Sequence, residues 1–474
     1  MPATTATSRS LAPVLIAVSI PLFIVALDNM VVGVALSRIR ADLHASSSGG
    51  QWVVIAYALP FAAILLTACT LGERLGRRRV FLAGIVVFTL ASVGCALSCR
   101  IWQLDVARAV QGVGGAAVLP LSLTLLTHAA PDRTRSVLAG VWGVVHALGL
   151  AAGPVVGGAV VEALHWQFIF WFNVPVGVLA VLLGRALLPE SYGDARRFDP
   201  LGVVLFAVGL FLVVWGVVRG PEEGWVSGPV RNALIGGGVA LAGFVWRQAR
   251  GGAPAVPLSL FRSRGFALTN AVTFTFSAGV YGPIFLTGQY FQAVRDVSPL
   301  TAGTRLLPWT LLSTLALPLA TRFGERLGSQ RIIATGQVLL AAALIWTGLI
   351  AGLHTPYTQF IGPFVLGGLG MALTVAPITG WAVSTAPANG LAVASGVNNA
   401  VRQTSVTVGI AVAVAVFSSF GSYASPQSFV DGLRPADTSG GLIVAAGALF
   451  AFSAALRADP SRPAPPPSAP EESR

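Results

Sequence analysis

The sequence predicts an all-α polytopic membrane protein, because long apolar stretches recur from one end of the chain to the other. Of the 474 residues, 54% are hydrophobic and only 10% are charged, and the mean hydropathy is +0.76. A soluble domain needs a far more polar surface. Most of the stretches are long enough to cross a hydrocarbon core of about 30 Å as a helix. The lipid bilayer is therefore the expected surroundings of nearly the whole chain.

The apolar stretches, taken in order, predict fourteen transmembrane helices. Their connections are short and contain Gly, Pro and Arg, as expected when irregular backbone must stay out of lipid. The predicted spans are 11–36, 51–71, 80–98, 101–126, 136–161, 167–188, 199–218, 230–248, 265–291, 299–321, 331–353, 358–384, 391–419 and 438–456.

An internal repeat divides these spans into two halves. The segment Gly-Glu-Arg-Leu-Gly occurs at 72–76 and again at 324–328. An even number of spans separates the copies, so both face the same side of the membrane, as a parallel repeat of two six-helix halves requires. The predicted organisation is a cytoplasmic N-terminus (1–10), a six-helix half (11–188), a linker with two extra helices (189–264), a second six-helix half (265–456) and a disordered cytoplasmic tail (457–474).

The basic residues indicate the orientation and exclude one energy source. All 30 are arginine, and a phosphate-binding loop that hydrolyses ATP needs a lysine. We therefore expect no ATP and no cofactor, with an ion gradient supplying the energy. Most of the arginines fall in loops on the side of both termini, which predicts cytoplasmic termini in a cell (inner) membrane. Their dispersal over short loops argues against nucleic acid as a partner.

Four short motifs in the first half combine charge, small residues and proline inside or beside apolar helices. The first helix contains Leu27-Asp28-Asn29, and the loop after the second helix reads Gly72-Glu73-Arg74-Leu75-Gly76-Arg77-Arg78. The fourth helix contains Arg108-x-x-Gln111-Gly112, and the fifth contains Gly140, Gly149, Gly153, Pro154, Gly157 and Gly158. Together they resemble the major facilitator superfamily, specifically its fourteen-helix drug:proton antiporter branch.

This resemblance implies a major facilitator fold and a proton-coupled efflux transporter that works by alternating access as a monomer, with a small molecule and protons as its ligands. It also implies a conformational latch at each copy of the repeat, formed by Glu73, Arg74, Gly76, Arg77 and Arg78 and by Glu325 and Arg326. In the alternative interpretation, these arginines only fix the topology.

An acid and a base within the apolar helices form the predicted proton-coupling site. Asp28 and Arg108 lie at matching depths in helices one and four, so they can pair, and their separation would change the affinity of Asp28 for a proton. The alternative is a fixed ion pair that only holds the two helices together. His146 in the fifth helix is the third candidate, although it also fits as a satisfied buried histidine.

Polar and aromatic residues in other apolar helices predict a substrate cavity between the halves. The candidates are Asn29, Tyr57, Gln111, Tyr281, Gln289 and Arg402. The second half shows no carboxylate deep within a predicted helix, which favours neutral or anionic substrates over multivalent cations. Aromatic residues near helix ends also serve as membrane-interface anchors.

Three other functions compete with efflux. A proton-linked symporter or metabolite facilitator is the closest alternative, and the glycine pattern of the fifth helix favours the antiporter. A membrane-embedded enzyme needs a metal or nucleophile site, and the histidines and cysteines show no ligand spacing. We therefore expect neither an enzyme nor a bound metal. The third alternative is a membrane protein that transports nothing.

Overall fold

A computed structural model describes residues 11–193, 199–250, 256–385 and 391–457, and these residues are almost entirely helical. The predicted N-terminal segment 1–10 lies outside the described residues, as does the tail beyond residue 457. The helices are α1 (Ala12–Asp42), α2 (Ser47–Leu75), α3 (Arg77–Ala96), α4 (Ile101–Ala129), α5 (Asp132–Ala163), α6 (Phe168–Trp171), α7 (Asn173–Leu187), α8 (Pro200–Glu223), α9 (Gly228–Arg250), α10 (Arg264–Ala293), α11 (Pro299–Arg305), α12 (Leu307–Leu315), α13 (Leu317–Leu327), α14 (Ser329–Ile350), α15 (Tyr357–Ser384), α16 (Leu391–Phe420) and α17 (Pro426–Arg457), with a 3-10 helix at Leu258–Arg262.

Twelve helices within the described ranges are long and apolar enough to cross a membrane. This confirms a multi-pass membrane protein, but two of the fourteen predicted spans are not among the twelve. One is the segment of α9. The other, predicted at 299–321, is divided into α11, α12 and α13. Pro308 and Pro318 stand at the starts of α12 and α13, and proline cannot donate the backbone hydrogen bond that would continue the preceding helix.

The repeated sequence forms the same turn twice. Gly76 has φ +107° and Gly328 has φ +88°, a conformation that favours glycine. In each copy, the glycine N–H donates to the carbonyl of the glycine four residues earlier at 3.1 Å. We call the end of the bundle that carries both turns the glycine-turn end, and the other the opposite end.

Two helical halves, α1–α7 and α10–α17, contact each other at the opposite end. The Ser37 hydroxyl donates to Gln292 Oε1 at 2.6 Å, and Gln292 Nε2 donates to the Val34 carbonyl at 3.1 Å. The Leu300 N–H also donates to Glu162 at 3.3 Å. These contacts join α1 to α10 and α5 to α11, so the opposite end is closed.

The two inserted helices, α8 and α9, pack against each other, and α8 also contacts α2 and α16, one helix from each half. Asp199 joins them at the glycine-turn end, because it caps α8 at the Gly202 N–H (2.9 Å) and accepts from Arg247 of α9 at 2.6 Å. Burial alone would raise the pKa of Asp199. These two hydrogen bonds and a third from Gln248 outweigh that effect, so the pKa of Asp199 lies below its usual value. A charged carboxylate therefore ties the inserted pair together at neutral pH.

Candidate functional site

Asp28 and Arg108 form an ion pair inside the first half. Arg108 donates to Asp28 Oδ2 at 2.5 Å, and the exposed fractions of the two side chains are only 1% and 0%. An unpaired charge in such a place is costly, whereas a paired and hydrogen-bonded one is tolerated. The contact that the matching helix depths predict is therefore present, and it lies between α1 and α4.

Amide side chains complete the hydrogen bonds of the pair. Gln111 accepts from Arg108 at 2.6 Å through its oxygen and donates to Asp28 Oδ1 at 3.0 Å through its nitrogen. Asn173, at the start of α7, also donates to Asp28 Oδ1 at 3.0 Å. Ser92 on α3 accepts from both amides. Four helices thus fix the carboxylate, and the contributions of Asn173 and Ser92 were missed by the sequence analysis because single polar residues in apolar helices carry no pattern.

Aromatic rings cover the guanidinium of Arg108. It lies 4.3 Å from the ring centroid of Tyr57 and 5.8 Å from that of Phe170, within the range of cation–π attraction. Tyr57 and Gln111 were predicted to line the substrate cavity. In this structure, both side chains are instead buried within the first half beside the ion pair.

A cavity lies on another face of α1, between the halves. It occupies about 590 Å³, part of it open to solvent, and Asn29, Met30 and Gly33 of α1 face Tyr281 and Phe285 of α10 across it. Asn29 and Tyr281, two of the residues predicted to line a substrate cavity, thus lie on the wall of this one. Adjacent residues of a helix point about 100° apart. The charged Asp28 and the cavity-lining Asn29 are thus on different faces of one helix.

The glycines of α5 differ in how closely neighbouring helices approach them. A β-carbon at Gly149, Gly153 or Gly157 would lie 2.5–2.8 Å from atoms of α1, so only glycine permits this close packing. At Gly158, such an atom would lie 2.5 Å from Leu300 Cα of the other half. A β-carbon at Gly140, near the glycine-turn end, would meet nothing within 4 Å. The glycine positions of this helix are thus closely packed against α1 and α11 towards the opposite end, whereas the position of Gly140 is open.

Pro154 also belongs to the contact between the halves, because its carbonyl oxygen lies against Gly303 of α11. A proline at this position leaves the carbonyl of Leu150 without its usual helical partner. The motif of α5 thus supplies close contacts to both α1 and α11.

A second arginine, Arg402 on α16, is near enough to His146 of α5 and Tyr281 of α10 for its charge to act on both. Its guanidinium donates to Asn399 Oδ1 at 2.6 Å. The His146 ring stacks on Trp142, with centroids 5.6 Å apart and planes 2° from parallel. The contacts described for His146 are thus with Trp142 and the charge of Arg402, not with the Asp28–Arg108 pair.

The loop between α2 and α3 contacts an acidic side chain that was not predicted from the sequence. Glu190, just after α7, accepts from the Arg78 N–H at 2.9 Å and lies 3.8 Å and 3.7 Å from the guanidinium nitrogens of Arg78 and Arg79. The Arg77 N–H donates to the Ser191 carbonyl at 2.9 Å. These contacts lie within the first half. Arg74 and Arg326 are exposed, and the side chain of Glu325 lies outside the described residues.

Two residues of the second half differ from expectation. Gln289 does not line the cavity but accepts a hydrogen bond from the Tyr423 hydroxyl at 2.6 Å. Asp437 of α17 is a fully buried carboxylate with an exposed fraction of 0%, so the expectation of no deep acid in this half is wrong. The last predicted span began at 438, whereas α17 begins at Pro426. Polar residues before 438 lower the hydropathy of a stretch that the protein itself shields.

Comparison with known proteins identifies the family. A model of the Major Facilitator Superfamily matches residues 18–410. The multidrug resistance protein Stp of Mycobacterium tuberculosis is 35% identical over 408 residues, which cover 86% of this chain and 76% of that protein. The tetracenomycin C resistance and export protein of Streptomyces glaucescens is 33% identical over 404 residues, which cover 84% and 74% of the two chains.

Solved structures agree on the fold. A POT family transporter in complex with a thioalcohol-conjugated peptide superposes with a TM-score of 0.72 at 14% identity and covers 95% of this chain and 96% of that one. The xylose transporter XylE from E. coli, in a partially occluded inward-open conformation, has a TM-score of 0.65 at 14% identity and covers 94% and 98%. The chain therefore belongs to the major facilitator superfamily.

Proposed function

We propose that this protein exports small molecules across the cell membrane in exchange for protons. The names of its relatives, a multidrug resistance protein and a tetracenomycin C resistance and export protein, support efflux. They also favour transport over a membrane-embedded enzyme. The observation that carries the proton coupling is the buried Asp28–Arg108 pair, one helix face away from a cavity between the halves.

The geometry suggests how proton and substrate influence each other without sharing a binding position. A proton on Asp28 neutralises the carboxylate and weakens its attraction for Arg108, which loosens the contact between α1 and α4. Because α1 also carries Asn29 and packs closely on α5, a movement of α1 reaches both the cavity and the Gly158–Leu300 contact at the closed end. Substrate and proton are thus coupled through the position of α1.

The finer assignments belong to the same proposal. The protein follows the fourteen-helix drug:proton antiporter branch, with α9 and the broken segment α11–α13 as the remaining two spans. Both termini are cytoplasmic, so the glycine-turn end faces the cytoplasm and the cavity opens inward. The Arg78–Glu190 contact holds α3 against the end of α7 in this conformation. The transporter works as a monomer, without ATP, cofactor or metal.

Transport by inside-out vesicles tests the proposal. With ethidium and 9-anthracenecarboxylate as probes, an imposed acidic interior is expected to drive accumulation of at least one probe, and dissipating the gradient should release it. The vesicles are prepared from a strain that lacks its other efflux pumps. The control is vesicles from this strain without the protein. A proton-linked symporter would instead show the opposite dependence on the gradient, and that result would reject export.

A further inference from the structure

Among the side chains that the structure describes, Arg402 is an intramembrane cation without an acidic partner. Arginine stays protonated in proteins, and in lipid-embedded domains such a charge faces a cavity or a counter-ion. Within the described residues, no carboxylate forms an ion pair with Arg402, and its one hydrogen bond goes to the neutral amide of Asn399. The charge therefore remains uncompensated in this conformation.

The surroundings of Arg402 come from both halves of the molecule. Tyr281 on α10, with which Arg402 interacts, is part of the wall of the cavity between the halves. Val406, one helical turn along α16 from Arg402, lines the same cavity. On the other side, His146 belongs to α5, where a β-carbon at the nearby Gly143 would meet nothing within 4 Å. Arg402 is thus near two residues of the cavity wall, Tyr281 and Val406, and near the open face of α5 at Gly143.

The ring stack beside Arg402 adds a flat apolar surface. Trp142 and His146 lie parallel on α5, and the Trp142 Nε1–H donates to the Ser122 hydroxyl at 2.8 Å, which fixes the orientation of the indole. A flat aromatic ligand can stack on such a surface while an acidic group meets the guanidinium. The three groups together have the properties of a site for an aromatic anion.

We propose that Arg402, with the Trp142–His146 stack and Tyr281, binds the anionic group of an aromatic acid. This inference rests on the proposed export function only in taking that ligand as the transported molecule. The guanidinium supplies two parallel N–H donors that match a carboxylate. The bound anion would neutralise the charge of Arg402. The first half needs no such ligand because Asp28 already neutralises Arg108.

Binding to the purified full-length protein in lipid nanodiscs, without any gradient, tests the site. The probes are 9-anthracenecarboxylate and the neutral 9-anthracenemethanol, measured by equilibrium dialysis. The wild type is expected to bind the carboxylate about tenfold or more tightly than the alcohol, as a charge-assisted hydrogen bond predicts. Arg402→Gln should reduce carboxylate binding to the level of the alcohol and leave alcohol binding unchanged.

Arg434→Gln is the matched control, because Arg434 donates to the Ala351 carbonyl at the opposite end and should leave both affinities unchanged. Should Arg402→Gln fail to fold, Arg402→Lys decides, since it keeps the charge but loses the paired donors and should weaken carboxylate binding severalfold. Equal affinities in the wild type, no carboxylate binding, or an unchanged preference in the Arg402 variants would overturn the inference. Any of these results could occur while the vesicle assay still shows gradient-driven efflux. In that case the anion site is rejected and the proposed export function stands.

Discussion

The two halves of the molecule hold their buried charges in different ways. In the first half, Asp28 and Arg108 are 2.5 Å apart and share Gln111 as a common hydrogen-bond partner. In the second half, Asp437 and Arg402 are both present, but within the described residues neither has an ion partner. The polar group that interacts with Asp437 is the Thr287 hydroxyl, although neither carboxylate oxygen forms a well-aligned hydrogen bond.

This difference distinguishes an acid with a cation partner from a cation without an acid. In our proposal, a proton on the acid of the buried pair releases the cation, so the pair responds to a proton. A carboxyl group shielded from water without a cation is stable only when uncharged. An arginine without an acid stays charged and requires water or an anionic ligand. This contrast is why our proposals assign the proton to the first half and the anionic ligand to the second.

The largest effect is expected from Asp28→Asn. The amide cannot take a proton, so proton-driven probe accumulation in inside-out vesicles should fall to the level of vesicles without the protein. The variant also leaves Arg108 buried without a counter-ion, which should lower the free energy of unfolding by about 3–5 kcal/mol. Thermal unfolding of the purified variant measures the second effect.

The double variant Asp28→Asn/Arg108→Gln separates these two effects. Removing both charges should restore part of the lost stability, because no unpaired charge remains, but it should not restore proton-driven transport. Retention of gradient-driven accumulation by either variant would show that the pair is only a structural contact between α1 and α4.

The sequence predicted the elements better than it predicted the partners. Each predicted span corresponds to helical structure, and the repeat at 72–76 and 324–328 marked two turns with the same geometry, because hydropathy and glycine positions are properties of the local chain. Asp28 and Arg108 were found since a charge in an apolar helix stands out. Their placement away from the cavity was not predictable, because it depends on how α1 is rotated against its neighbours.

The two acids that were missed lie outside the predicted apolar spans. Glu190 follows α7 in a loop, and Asp437 precedes the hydropathy maximum of α17, so neither interrupts an apolar stretch in the sequence. Hydropathy averages the polarity of a segment's own residues. It therefore cannot detect that neighbouring helices shield a polar side chain from lipid. Gly348 of α14, for example, lies close against Asp437. Such shelter exists only in the packed structure.

Communication between the halves is expected to depend on Gly158. A β-carbon there would lie 2.5 Å from the Pro299 carbonyl oxygen and from Leu300 Cα, whereas one at Gly140 would meet nothing within 4 Å. Gly158→Ala should therefore disfavour the conformation closed at the opposite end by about 1–3 kcal/mol, and slow efflux about tenfold. Gly140→Ala is the matched control and should stay within about twofold of the wild type.

Both glycine variants gain the same helix propensity, about 1 kcal/mol for alanine over glycine, so the difference between them isolates the contact with α11. Initial rates of probe accumulation and the reactivity of a cysteine introduced at Ser37 measure the two effects. Equal rates for Gly158→Ala and Gly140→Ala would show that closure at the opposite end does not limit transport.

The smallest effect is expected from Asp437→Asn, which tests the contrast between the two carboxylates directly. If the Asp437 carboxyl is uncharged, asparagine has nearly its shape and polarity and can still interact with the Thr287 hydroxyl, so the free energy of unfolding should change by less than about 1 kcal/mol. Proton-driven efflux should stay near the wild-type rate. A loss of stability as large as that of Asp28→Asn would mean that Asp437 is charged and has a cation partner, and the two halves would then hold their acids in the same way.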